Sequence, residues 1–188
     1  VEFDRHEVRF DIDETGHPIG VYFKVSKDAN KLIEEFMLLA NRTVAQAIGN
    51  PTDRKKPKAF VYRVHDLPDP GKLSDLAALS RTFGYKVKAQ GTPKDVNRSI
   101  NRMLSDVKGH GEENLLSTLA IRSMAKAVYT TTNIGHYGLG FEYYTHFTSP
   151  IRRYPDMMVH RLLDRYLNGG RSVNLNKLED LCKHSSNM

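Results

Sequence analysis

Hydrophobic positions alternate with polar ones at the start of the chain and then fall at helical spacing through most of the rest. Val8, Phe10 and Ile12 have polar neighbours, and Val21 and Phe23 repeat the pattern after Glu14-Thr15-Gly16-His17. A period of two predicts strands over residues 1–25, joined by a turn in which Gly16 is able to take positive φ. Beyond Ser26 the period changes. Ile33, Met37, Ala40, Val44 and Ala47 lie at helical spacing. They predict a helix from a Ser26 cap to about Ile48, with those five as its core stripe and Asp28 in its first turn. Ala59–Val64 is β-branched and aromatic and predicts a strand. Pro68 and Pro70 punctuate a turn, and a helix follows from about Gly71 to Phe83 with Leu73, Leu76, Ala77 and Leu79 apolar. Thr92 caps a helix that begins with Pro93, with Val96, Ile100, Met103 and Leu104 inward and Gly109 and Gly111 as breakers. Further helices are predicted from Glu112 to about Tyr129, from Pro150 to about Leu167, and from Leu175 behind an Asn174 cap. Asn133–Phe147, with its glycines and aromatics, reads as extended. The whole is of the α+β class, mostly helical with a small antiparallel sheet.

Composition narrows the class. A chain of 188 residues with 39% hydrophobic residues buries a real core and fits one domain or a large piece of one. No apolar run approaches the ~18 residues that a membrane helix needs. The single cysteine, Cys182, excludes an internal disulfide and an all-cysteine metal site. It reads as a buried helix residue, and a lone thiol suits a reducing cytosol, so a cytoplasmic location is expected. The net charge of +6 favours polyanions such as nucleic acid. The densest basic run, Arg54-Lys55-Lys56-Pro57-Lys58, reads as a solvated loop.

The most informative stretch is Thr148-Ser149-Pro150-Ile151-Arg152-Arg153-Tyr154. Ser149 suits an N-cap and Pro150 the first helical position, so both arginines fall in the first turn. Free N–H groups, the positive end of the helix dipole and two planar donor forks together suit a phosphate. The plainer alternative is a capped helix whose arginines pair with carboxylates.

The segment from His136-Tyr137-Gly138-Leu139 through Tyr143-Tyr144-Thr145-His146-Phe147 and the arginine run to Pro155-Asp156 and His160 resembles the signature of the ribonuclease II and ribonuclease R family, the processive 3′→5′ exoribonucleases built on the RNB catalytic domain. Asn30–Asn41, containing Glu34-Glu35-Phe36-Met37, and Tyr62–Pro70 resemble two further family blocks in the expected order. The resemblance is nearest to the ribonuclease R branch. It implies a magnesium-dependent exonuclease that degrades single-stranded RNA to nucleoside 5′-monophosphates. It further implies that Arg152 is the catalytic contact to the scissile phosphate, with Arg153 and Ser149 beside it. One of Glu34 and Glu35 is implied to line the active centre, and Asn41 shares the face of Glu34. Tyr143 and Tyr144 flank the site, where one could stack on a base; the alternative is a core aromatic of a strand.

The family's Asp-rich magnesium cluster does not occur in this sequence. Asp11 and Asp13 read as hairpin residues, and no metal ligand is assigned within the chain. The resemblance therefore implies the C-terminal part of one RNB domain over residues 1–188, truncated at both ends and inactive alone. The missing N-terminal half of RNB, which should bring the magnesium ligands, and flanking small β-barrel RNA-binding domains are its implied partners. Asp156 and His160 lie four apart on the helix but read as support and not as zinc ligands, with Asp156 pairing to Arg152 and His160 extending that network. Two rivals stand beside the enzyme: a non-catalytic RNA-binding RNB relative, and an interaction domain in which the arginine helix is an ion-pair hub.

Overall fold

The computed structural model describes residues 7–24, 27–51 and 56–188. The N-terminal alternation forms β1 (Glu7–Ile12) and β2 (Pro18–Lys24), antiparallel, with Phe10 opposite Val21. Asp13 closes the turn by accepting from the Thr15 and His17 N–H groups and from the Thr15 hydroxyl, while Gly16 takes φ 89°. The Thr15 hydroxyl, above all, holds the Asp13 carboxyl below its usual range. Asp13 is therefore occupied by its own turn, as expected of a hairpin residue.

α1 (Asp28–Gly49) forms nearly as predicted. Its predicted Ser26 cap lies outside the described residues. The predicted core stripe is displaced: Asn41 and Ala45 are buried with Val44 and Ile48 packed nearby, whereas Ile33 is 59% exposed. Periodicity finds an apolar face, but burial also requires something opposite it. Among the described residues only the C-terminal half of α1 has such a partner. Gly49 allows the closest approach, because a Cβ on it would lie 2.6 Å from the Tyr62 hydroxyl oxygen and 2.7 Å from Tyr143 Cδ1.

Next along the chain come β3 (Tyr62–Val64), α2 (Pro70–Thr82), α3 (Pro93–Asp106), α4 (Glu113–Ser123) and β4 (Val128–Thr130). Thr92 accepts from the Asp95 N–H as the predicted cap of α3, and Asp69 does the same for α2 through Lys72. The helix predicted over 112–129 stops at Ser123, and Val128–Thr130 instead pairs antiparallel with β3. The β-branched run Val128-Tyr129-Thr130-Thr131-Thr132 favours a strand once the edge of Tyr62–Val64 is available. The small sheet is thus two separate two-stranded sheets, β1-β2 and β3-β4. Last come α5 (Tyr154–Leu167) and α6 (Leu175–Asn187), the latter capped by Asn174 as predicted.

Two cores result. One joins Ala45, Phe60, Val61, Tyr62 and Val64 to Val159 and Leu162 of α5 and Cys182 of α6. Burial pushes the Cys182 thiol up to about 12, so it is a packing residue and not a nucleophile. The other lies among α2, α3 and α4 around Leu76, Ile100, Met103 and Leu116. No helix among the described residues is long and apolar enough to cross a membrane.

Candidate functional site

The arginine run does not open the helix. Ser149–Arg152 forms a turn, in which the N–H groups of Arg152 and Arg153 reach Ser149 O at 3.3 and 3.1 Å, and α5 starts only at Tyr154. Pro155, not Pro150, is the proline of the first helical turn. Ser149 consequently caps nothing, and its hydroxyl accepts from the Arg152 guanidinium at 3.4 Å. Asp156 takes the position that an incoming anion was expected to fill. Fully buried in the first turn of α5, it accepts from the Ser149 N–H and from the Arg153 guanidinium, both at 2.8 Å.

The predicted Arg152–Asp156 pair is therefore replaced by Arg153–Asp156. The turn aims Arg153 inward and leaves Arg152 exposed, and among the described residues no carboxylate pairs with Arg152. His160 also departs from expectation. Its Nε2 donates to Phe147 O at 2.8 Å and its ring stacks on Phe147 at 4.1 Å, so it supports the loop backbone and not Asp156.

The loop before the turn is pinned from three sides. Tyr144 O accepts from the Arg63 N–H of β3, and Thr145 donates to Val61 O at 2.7 Å. From α1, Asn41 Oδ1 accepts from the N–H groups of Phe147 (2.9 Å) and Thr148 (3.2 Å), while its Nδ2 donates to the Tyr144 hydroxyl. From α5 come His160 and Asp156. The Arg152 turn thus leaves a loop whose polar backbone is largely satisfied by fixed partners, the arrangement that holds a cation in place before a ligand arrives.

Tyr144 is 5% exposed, with its ring edge-on to His136 and His146, so base stacking by Tyr144 gives way to a scaffold role. The polar tip still needs a partner when buried, and Asn41 supplies it. Glu34 and Glu35 are exposed on the first half of α1, and no hydrogen bond joins either to the arginine loop among the described residues. Asn41 is the residue whose importance the sequence understated; its one legible signal was a polar side chain on the face of Glu34. Arg63 was missed as well, although an arginine between Tyr62 and Val64 of a strand must face away from the core.

Electrostatics around the loop are strongly positive. Burial, then the charges of Arg153 and Arg63, bring His146 down to about 4. Burial, then His65 and Arg63, bring His136 down to about 4. Both imidazoles are neutral at physiological pH. No group of three His, Cys, Asp or Glu side chains that could hold a metal occurs among the described residues, and Asp156 is already committed to Arg153. The described residues do not fit a magnesium centre.

The RNB domain family model matches residues 1–169. Ribonuclease R of Aquifex aeolicus is 42% identical over 174 residues, covering 90% of this chain and 23% of that protein. Ribonuclease R 1 of Lactococcus lactis is 37% identical over 195 residues, covering 99% of this chain and 23% of that protein. Among solved structures, Mycoplasma genitalium RNase R in complex with ribose-methylated single-stranded RNA superimposes with a TM-score of 0.75 at 29% identity, over 99% of this chain and 28% of that one. The chain thus spans about a quarter of the length of the relatives it matches.

Proposed function

Because this chain belongs to the RNB domain family, we propose that it is part of a 3′→5′ exoribonuclease that degrades single-stranded RNA in the cytoplasm and releases nucleoside 5′-monophosphates. The observation that carries this reading is the exposed guanidinium of Arg152, free of any carboxylate among the described residues, on a loop that Asn41, Asp156, His160 and β3 hold in place. Its two in-plane N–H edges match phosphate oxygens, and its charge persists at every working pH.

In-line attack of water on a phosphodiester builds negative charge on the non-bridging oxygens. Arg152 meets that charge, and Arg153, neutralised by Asp156, sets the turn that presents it. Gripping phosphates and not base edges makes the activity tolerant of sequence. Glu34 or Glu35 faces the terminal ribose in this reading. Magnesium would supply further phosphate charge stabilisation, but no group among the described residues would hold it, and in this reading the chain alone does not hydrolyse RNA.

In the complete protein, Arg152→Ala lowers kcat by about 10²–10³, as the loss of one transition-state contact does, and costs single-stranded RNA affinity only the one phosphate contact it removes. Near-wild-type turnover of that variant removes Arg152 from the chemistry. RNA binding by a complete protein that releases no mononucleotide would instead identify a binding module.

A further inference from the structure

Arg63 stands beside the same loop, and its side chain has no part in the reading above. It lies in the middle of β3, opposite Tyr129 of β4. Its neighbours Tyr62 and Val64 are buried in the core, so strand alternation turns Arg63 to the other face. There the guanidinium carbon sits 4.5 Å from the centre of the Tyr129 ring. The Tyr129 hydroxyl is hydrogen-bonded to His146 Nδ1 at 2.8 Å, and the Arg63 N–H holds Tyr144 O. The pair is thereby tied at two points to the segment that leads to Arg152.

A cation–π contact of this kind draws on the charge of the guanidinium and need not use up its five N–H donors. Among the described residues no acceptor takes a hydrogen bond from the Arg63 side chain and no carboxylate lies within ion-pair distance of it. The charges of Arg63, Arg152 and Arg153 all bear on His146, and Asp156, a carboxylate that bears on it too, is used by Arg153. A half-buried guanidinium with open donors and surplus positive charge around it is the arrangement that an anion completes.

We propose that Arg63, held over the Tyr129 ring, is a second phosphate contact to the RNA strand that Arg152 grips. The proposal rests on the RNA reading above and adds a residue that reading does not use. The complete protein is titrated with a short fluorescein-labelled oligoadenylate over a range of salt concentrations, as wild type, Arg63→Gln and Arg152→Gln. Each lost phosphate contact to a single strand lowers the slope of log affinity against log salt by ~0.7. The expected result is a fall of that size for each variant. In parallel, the Arg Nε–H resonance of Arg63 in the wild-type complete protein, assigned through Arg63→Lys, shifts when oligoadenylate is added. This second readout decides the matter even where Arg63→Gln unfolds the chain. A reduced slope for Arg152→Gln, with an unchanged slope for Arg63→Gln and an unmoved Arg63 resonance, overturns the role of Arg63 and leaves the RNA reading standing. No binding of the wild-type complete protein at low salt overturns both.

Discussion

At Asp156 one buried carboxylate oxygen serves two donors, the Ser149 N–H and the Arg153 guanidinium. Asp156 has no exposed surface and the Arg153 side chain is 25% exposed, so solvent screens this pair far less than it screens a surface ion pair. Asp156→Ala therefore leaves a half-buried guanidinium and a backbone N–H without their acceptor. The expected loss is about 3–5 kcal/mol in urea unfolding, the usual cost of removing one partner of a buried pair. A loss below about 1 kcal/mol, the range of an exposed pair, would show that the pair does not organise the turn. The choice between two adjacent arginines was invisible in the sequence. Spacing of three and of four residues both place a partner on the same helix face, and which applies depends on where the helix begins. Ser149 and Pro150 carry the signals of a helix start, yet Asp156 draws the Ser149 N–H to itself and the helix begins at Tyr154.

Between elements, α1 reaches the arginine loop through Asn41. Three hydrogen bonds run from this side chain to Tyr144, Phe147 and Thr148, across 103 to 107 residues of sequence. Asn41→Ala strands two loop N–H groups and the Tyr144 hydroxyl in a buried place. It is expected to cost about 1–3 kcal/mol and to speed amide exchange at Phe147 and Thr148 specifically. Unchanged exchange at those two amides would mean that α1 does not brace the loop. Elements bounded by local chemistry were legible: the Thr92 and Asn174 caps and the Pro93 start stand where the sequence placed them. Those signals act within one turn of chain. The 112–129 region was misread because the strand tendency of Val128–Thr132 is realised only by pairing with Tyr62–Val64, far away in sequence.

Across the whole molecule, the neutral imidazoles of His136 and His146 couple stability to pH. Both have folded-state values of about 4, against an ordinary 6.5. The unfolded chain therefore takes up protons first as pH falls. The stability these sites contribute is complete above about 6.5 and is lost progressively between about 6.5 and about 4. The melting temperature is expected to fall steeply from pH 7 to pH 5, with proton uptake on unfolding approaching ~2 near pH 5 from these two sites. A flat profile over that interval would show that the two rings are solvated. The amino-acid sequence by itself determined the α+β class, the hairpin, the locally capped helices and the ordered family blocks, because each is written in residues within a few positions of one another. Tertiary structure decided which part of α1 is buried, which arginine Asp156 neutralises, that Tyr144 turns inward, and that Arg63 lies on Tyr129. Each of those outcomes is set by the partner that packing brings opposite a side chain, and these partners come from separate elements or from the place where a helix begins.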